Sequence, residues 1–92
     1  MKQYWIYMVT NRNKTVIYTG VTNDLKRRAC EHRIGKGTTF TKRYNLTMLV
    51  YYEPFNNIND AIAAEKKIKA GPRSKKVELI ESMNPYWKDL YC

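Results

Sequence analysis

Two runs of aromatic and β-branched residues, Tyr4-Trp5-Ile6-Tyr7-Met8-Val9 and Thr15-Val16-Ile17-Tyr18-Thr19, flank the polar stretch Asn11-Arg12-Asn13-Lys14. Rings and branched Cβ atoms favour a pleated surface, so a short polar break between two such runs reads as a β-hairpin. A hairpin alone is marginal in water, and the rest of the chain must cover it. If the loop is the two residues Arg12-Asn13, Tyr7 falls opposite Tyr18 on one face. A one-residue slip would separate the two rings, and Arg12-Asn13 is a weak turn pair.

Gly20 is expected to end the second strand. Thr22 or Asn23 then caps a helix whose first turn carries Asp24 and which runs to about Arg33. Leu25, Arg28, Ala29 and His32 share one helical stripe, which puts two polar groups on the face that should touch the sheet. Residues 34–45 contain two glycines, three threonines, Lys36, Lys42, Arg43, Phe40 and Tyr44, the composition of a surface loop with room for a turn of helix. Leu46 to Glu53, stopped by Pro54, reads as a third strand. A second helix should start near Asn59 or Asp60 and end at Gly71-Pro72, and a third should run from about Ser74 to Met83 with Val77, Ile80 and Met83 inward. Asn84-Pro85 opens a short last helical turn through Trp87 and Leu90. The order ββαβααα predicts an α/β-type (α+β layered) fold with a small, mainly antiparallel sheet, and 92 residues suit one domain over residues 1–92.

Charge and scarcity narrow the function. Seventeen Lys and Arg against eight Asp and Glu give a net charge of +9, which points to a polyanionic partner. Thirteen of the basic residues lie in two windows, Lys26 to Arg43 and Lys66 to Lys76, opposed only by Glu31. Solvated helix faces are the plain explanation. Interleaved with Phe40 and Tyr44, the same density favours contact with phosphates and unpaired bases, and Lys26, Arg27, Lys36, Lys42 and Arg43 are the nucleic-acid-binding candidates. With two cysteines, Cys30 and Cys92, and one histidine, neither a four-ligand zinc module nor a multi-histidine metal site can be assembled. The only serines, Ser74 and Ser82, lie far from His32 and give a Ser/His/acid hydrolase little support. Lone cysteines and no leader-like segment suit a cytoplasmic setting, and the apolar run from Tyr4 to Val9 is too short to span a membrane.

Three further features bear on chemistry. Arg28 and His32 have a bland reading, a stem covering apolar surface and a satisfied core imidazole. They also have a chemical one, in which the helix start beside Gly20 offers free N–H groups to an anion, Arg28 forks onto the same phosphate, and His32 takes a proton near neutral pH. Glu65 lies on or beside the apolar face marked by Ala61, Ile62 and Ile68, so its carboxylate needs a partner. Lys69 or an arginine would serve, and so would Mg²⁺, which accepts one or two carboxylates and completes its shell with water and phosphate oxygens.

Trp5-Ile6-Tyr7, ten residues of hairpin, Tyr18-Thr19-Gly20, and Asp24-Leu25 with Arg28 and His32 resemble the GIY-YIG endonuclease superfamily, most closely its small stand-alone bacterial members. The resemblance extends through Tyr51-Tyr52-Glu53, Glu65-Lys66-Lys67-Ile68-Lys69 and Asn84-Pro85-Tyr86-Trp87. It implies a three-stranded antiparallel sheet flanked by helices and cleavage of DNA with one divalent metal, Mg²⁺ or Mn²⁺. It also implies catalytic roles for Tyr7, Tyr18, Arg28, His32 and Glu65, the last holding the metal. Trp5 stands in place of the first motif's glycine and Thr19 in place of the second's isoleucine. Val21 stands where some members have lysine, and Ala64 where the branch often has arginine. Without room for a targeting domain, recognition of branched, flapped or single-stranded DNA is expected, with RNA left open. The alternatives are a binding module without turnover, or an accessory subunit whose protein partner meets Tyr86, Trp87 and Tyr91.

Overall fold

The computed structural model describes residues 3–91, and Cys92 lies outside them. The hairpin strands β1 (Tyr4–Thr10) and β2 (Ile17–Thr22) are joined by β3 (Met48–Phe55) on the other side of β1, giving an antiparallel sheet of order β2-β1-β3. Between β2 and β3 come α1 (Leu25–Arg33) and the short α2 (Thr39–Arg43), and α3 (Ile58–Ala70) and α4 (Arg73–Met83) follow β3. The expected three-stranded antiparallel sheet with flanking helices is the observed architecture.

The hairpin register differs from the two-residue-loop expectation. Tyr7 pairs with Gly20 and Val9 with Tyr18. Asn11 builds a longer loop, its Oδ1 accepting from Thr15 N at 2.8 Å and its Nδ2 donating to Thr15 Oγ1 at 2.7 Å, while Lys14 adopts φ 59°. The slip is two residues, and side chains alternate with period two, so Tyr7 and Tyr18 keep the same face as diagonal neighbours. Gly20 accordingly lies inside β2 and does not end it. A Cβ there would sit 2.6 Å from Tyr7 Oη, so the missing side chain is the space in which the Tyr7 ring lies.

Strand β3 passes through Pro54, where a stop was expected, because it is an edge strand and proline's missing N–H need not break a ladder. A register shift between Met8 and Val9 pairs them with Tyr51 and Leu49 and leaves Val50 as the extra, fully buried residue. One sheet face packs Ile6 and Met8 against Ile80 and Trp87, with Ala64, Ile68 and Val77 at the margin. The other packs Tyr7, Val9 and Leu49 against Ala29 and Leu46, with Tyr18, Leu25 and Leu90 beside them.

Helix ends shift by a residue or two. Asp24, rather than Thr22 or Asn23, caps α1 by accepting from Arg27 N at 3.1 Å, and Thr22 Oγ1 accepts from Asp24 N at 3.0 Å. Asn57 caps α3, and Pro72 precedes α4. In α4, Ile80 is fully buried but Met83 is 41% exposed, contrary to the inward assignment. Each three-residue step falls about 60° short of a turn, so by Met83 the series from Val77 has rotated off the sheet. The expected last helical turn is instead a clamped loop. Buried Asn84 donates through Nδ2 to Val50 O (3.2 Å) and Lys88 O (2.7 Å) and accepts from Lys88 N (2.9 Å), while Trp87 sits at φ 55°. Trp87 is core, and Tyr86 is 78% exposed. Among the described residues no helix is long and apolar enough to cross a membrane.

Candidate active site

The Tyr7 ring is buried because β1 is the central strand and α1 covers this face. Its Oη lies 3.1 Å from Nε2 of His32, which α1 delivers from its inward stripe. His32 Nδ1 lies 3.2 Å from Thr41 Oγ1, and the Thr41 hydroxyl donates to the Thr38 carbonyl oxygen at 3.1 Å. With that hydroxyl proton committed, Thr41 Oγ1 is the acceptor for Nδ1–H, and Nε2 is left to accept from the Tyr7 hydroxyl. A continuous relay therefore runs Tyr7, His32, Thr41, Thr38. Gly37 closes over it, since a Cβ at Gly37 would lie 2.2 Å from His32 Nδ1 and 2.6 Å from Thr41 Oγ1.

The surroundings keep the relay in one protonation state. Burial, reinforced by Tyr18, pushes the Tyr7 phenol well above its usual range, with Glu31 and Glu65 adding and Arg28 opposing. Burial first, and then the neighbouring Arg28, holds the His32 imidazole below its ordinary 6.5, with Glu31 opposing. Near pH 7 the pair is thus a phenol donating to a neutral imidazole.

Tyr18 joins by ring contact, its centroid 6.4 Å from Tyr7 and 6.1 Å from His32. Arg28 is partly exposed and bonds Glu31 Oε1 through NH1 at 3.1 Å, while its Nε is buried without a partner. Glu65, on α3, is the one member from the opposite layer. Its side chain is 18% exposed and pairs with Lys69 Nζ at 3.0 Å, and that ammonium lies 5.4 Å from the Tyr18 ring centroid. The Glu65 pair therefore sits at the β2 side of the tyrosines, and all five singled-out residues gather on one region.

The anion site expected at the start of α1 is altered. Two more strand residues follow Gly20, and the Asp24 carboxylate already occupies an N–H of the first turn. Lys26, Arg27, Lys36, Lys42 and Arg43 are all exposed. Among the described residues no group of three or more His, Cys, Asp or Glu could enclose a metal. Glu65 is a single, mostly covered carboxylate, the kind of donor that suits Mg²⁺, which takes one or two carboxylates and keeps most of its shell for water and phosphate. Gly37, Thr38 and Thr41 were not singled out from sequence. Thr38 at the head of a short polar segment carries a capping signal, and it does cap α2. Nothing local marks Thr41 as the partner of His32.

The small antiparallel sheet layered with helices thus carries a buried tyrosine–histidine pair, with an arginine and a lysine-paired carboxylate around it. The sequence model of the GIY-YIG catalytic domain matches residues 3–78, and the chain belongs to that family. It is similar to a UPF0213 protein of Staphylococcus haemolyticus, 33% identical over 81 residues covering 88% of this chain and 98% of that one. A UPF0213 protein of Streptococcus pyogenes serotype M5 is 41% identical over 81 residues, 86% of each chain. The solution NMR structure of a UPF0213 protein from Bacillus halodurans superposes with a TM-score of 0.60 at 26% identity, covering 95% of this chain and 92% of that one.

Proposed function

We propose that this chain is a metal-dependent endonuclease that hydrolyses DNA phosphodiester bonds at sites chosen by strand structure, in the service of DNA repair or recombination. The observation that carries the reading is the Tyr7 Oη to Nε2 bond of 3.1 Å to a histidine whose other nitrogen is committed to Thr41. A phenol held this far from ionisation is a poor base alone. It removes a proton from water only by passing its own to His32 in the same movement. The water oxygen then bonds to phosphorus in line, the bond to the 3′ oxygen breaks, and that oxygen takes a proton from solvent. Arg28, whose guanidinium is partly exposed, offers its outer donors to the non-bridging oxygens as charge accumulates. Tyr18 contacts the phosphate from beside Tyr7. A divalent cation, Mg²⁺ or Mn²⁺, held by Glu65 would neutralise charge at the leaving 3′ oxygen.

Purified protein incubated with branched, flapped, single-stranded and duplex DNA, and with matching RNA, tests this in Mg²⁺ or Mn²⁺ with and without chelator. New ends are expected with metal and none with chelator, Arg28→Ala or Glu65→Gln. A folded Arg28→Ala protein that cuts as fast as the parent would refute the assignment. One observation favours a second reading, a binding module without turnover or an accessory subunit. The Lys69 ammonium already occupies Glu65, as a structural ion pair would. Binding that weakens steeply with salt and never yields product would favour that module.

A further inference from the structure

The segment between α1 and β3 carries a second surface. Its inward residue Thr41 is 2% exposed and holds His32, while Phe40 and Tyr44 are 45% and 40% exposed. The two rings stand four residues apart on α2 and its C-cap, the spacing that stacks side chains on one helix face. Phe40 lies 6.1 Å from Tyr18 at 32° and 4.8 Å from Tyr44, centroid to centroid. An aromatic surface therefore runs unbroken from buried Tyr7 through half-buried Tyr18 outward to solvent.

Its rim is cationic. The Arg43 guanidinium is 5.7 Å from the Tyr44 ring and the Lys69 ammonium 5.4 Å from the Tyr18 ring, with Lys36 and Lys42 exposed nearby. Residues 33–52 contain no Asp or Glu. Exposed rings bordered by polar groups mark an interaction surface, and a rim in which cations outnumber the one carboxylate, Glu65 on Lys69, selects a polyanion. A duplex stacks its bases on one another and offers these rings no free face, whereas an unpaired strand offers a π face at every nucleotide.

Resting on the nuclease reading, we propose that Phe40 and Tyr44 stack unpaired nucleobases of the strand whose phosphate lies against Tyr18 and Arg28, with Lys36, Lys42 and Arg43 taking the adjoining phosphates. The platform makes the chain prefer single-stranded or flapped DNA over continuous duplex, without regard to base identity. The stacked strand and His32 share one support, because Thr41 belongs to the same short helix.

The test uses the full chain with chelator, so that no cutting intervenes. Fluorescence anisotropy gives the affinity for a single-stranded oligodeoxynucleotide, its duplex and a flapped duplex, and 2-aminopurine in the unpaired strand reports stacking. Phe40→Leu/Tyr44→Leu keeps apolar bulk and is checked for unchanged melting. Loss of about tenfold or more in affinity for the unpaired strand, with duplex affinity within about twofold, is expected. The parent should quench 2-aminopurine and the double variant should not. Equal losses on both DNA forms, no loss on either, or undiminished quenching would overturn the proposal. A parent that shows the preference and the quenching, yet never cuts with metal, would sink the nuclease reading while supporting this one.

Discussion

Replacing Gly20 by alanine adds one methyl group where β2 passes the Tyr7 ring. The new Cβ would lie 2.6 Å from Oη, 2.7 Å from Cζ and 2.9 Å from Cε1, against the 3.4 Å at which ordinary contact begins. The hydroxyl end must therefore withdraw by roughly 0.8 Å, the difference between 3.4 and 2.6. Neither side yields easily, because Tyr7 is 2% exposed and β2 is paired residue by residue with β1. Overpacking of this kind costs about 1–3 kcal/mol, and a lost buried hydrogen bond to His32 adds about 1 kcal/mol. At about 4–8 °C per kcal/mol for a domain of this size, the melting temperature should fall by roughly 10–30 °C. Misplacing a reacting group by nearly 1 Å should also slow cleavage by about 100-fold. Circular dichroism melting and cleavage of flapped DNA, at a temperature where both proteins are folded, read the two effects. Tyr7→Phe is the companion, removing the hydroxyl without adding bulk. A Gly20→Ala protein that melts with the parent and cuts at its rate would refute the placement of Tyr7 against Gly20.

Thr41→Val keeps the shape but leaves His32 Nδ1–H without its acceptor, which should cost about 1–3 kcal/mol and slow cutting. Thr41→Ser should restore the rate, and a serine variant as slow as valine would argue against the hydroxyl's role. Thr19 Oγ1 is buried without a partner, so Thr19→Val should raise stability by about 1 kcal/mol in a denaturant titration; a loss would mean the hydroxyl has a partner after all. Because His32 must be neutral to accept a proton and its pKa is held below 6.5, the acid limb of the cleavage rate should fall below pH 6.5. A half-maximal rate at or above that value would contradict the relay. The same depression makes the unfolded chain bind the imidazole proton first as pH drops. The stability from keeping His32 neutral is thus fully present above 6.5 and lost as pH falls toward the lower folded value. The denaturation midpoint should decline over that interval in the parent and less in His32→Gln.

Much of the architecture is legible in the chain because its causes are local. Alternating aromatic and β-branched residues specify strands, and the three- and four-residue spacing of Leu25, Ala29 and His32 specifies a helix with one inward stripe. Glu65 among apolar neighbours announced a carboxylate in need of a partner, and Lys69 is that partner. Tyr7 and Tyr18 share a face under either hairpin register, since a shift of two residues leaves pleat parity unchanged. Their exact pairing was not legible, because it turns on how the Asn11 side chain closes a six-residue loop. Met83 and Asn84 were misread because the end of a helix depends on what the following chain clamps to, here Val50 on a distant strand.

Residue order along the chain was thus enough to mark the three strands, the main helices and the basic windows, which follow from neighbours within a turn or two, and to single out the five candidate groups, whose roles only the family resemblance suggested. The folded arrangement was needed to put Gly20 beneath Tyr7, Gly37 and Thr41 around His32, and Lys69, the ion-pair partner of Glu65, against Tyr18. Those relations join segments far apart in sequence, and contacts of that kind are set by how whole layers pack and by which side chain leaves room for another, quantities no short window of residues contains.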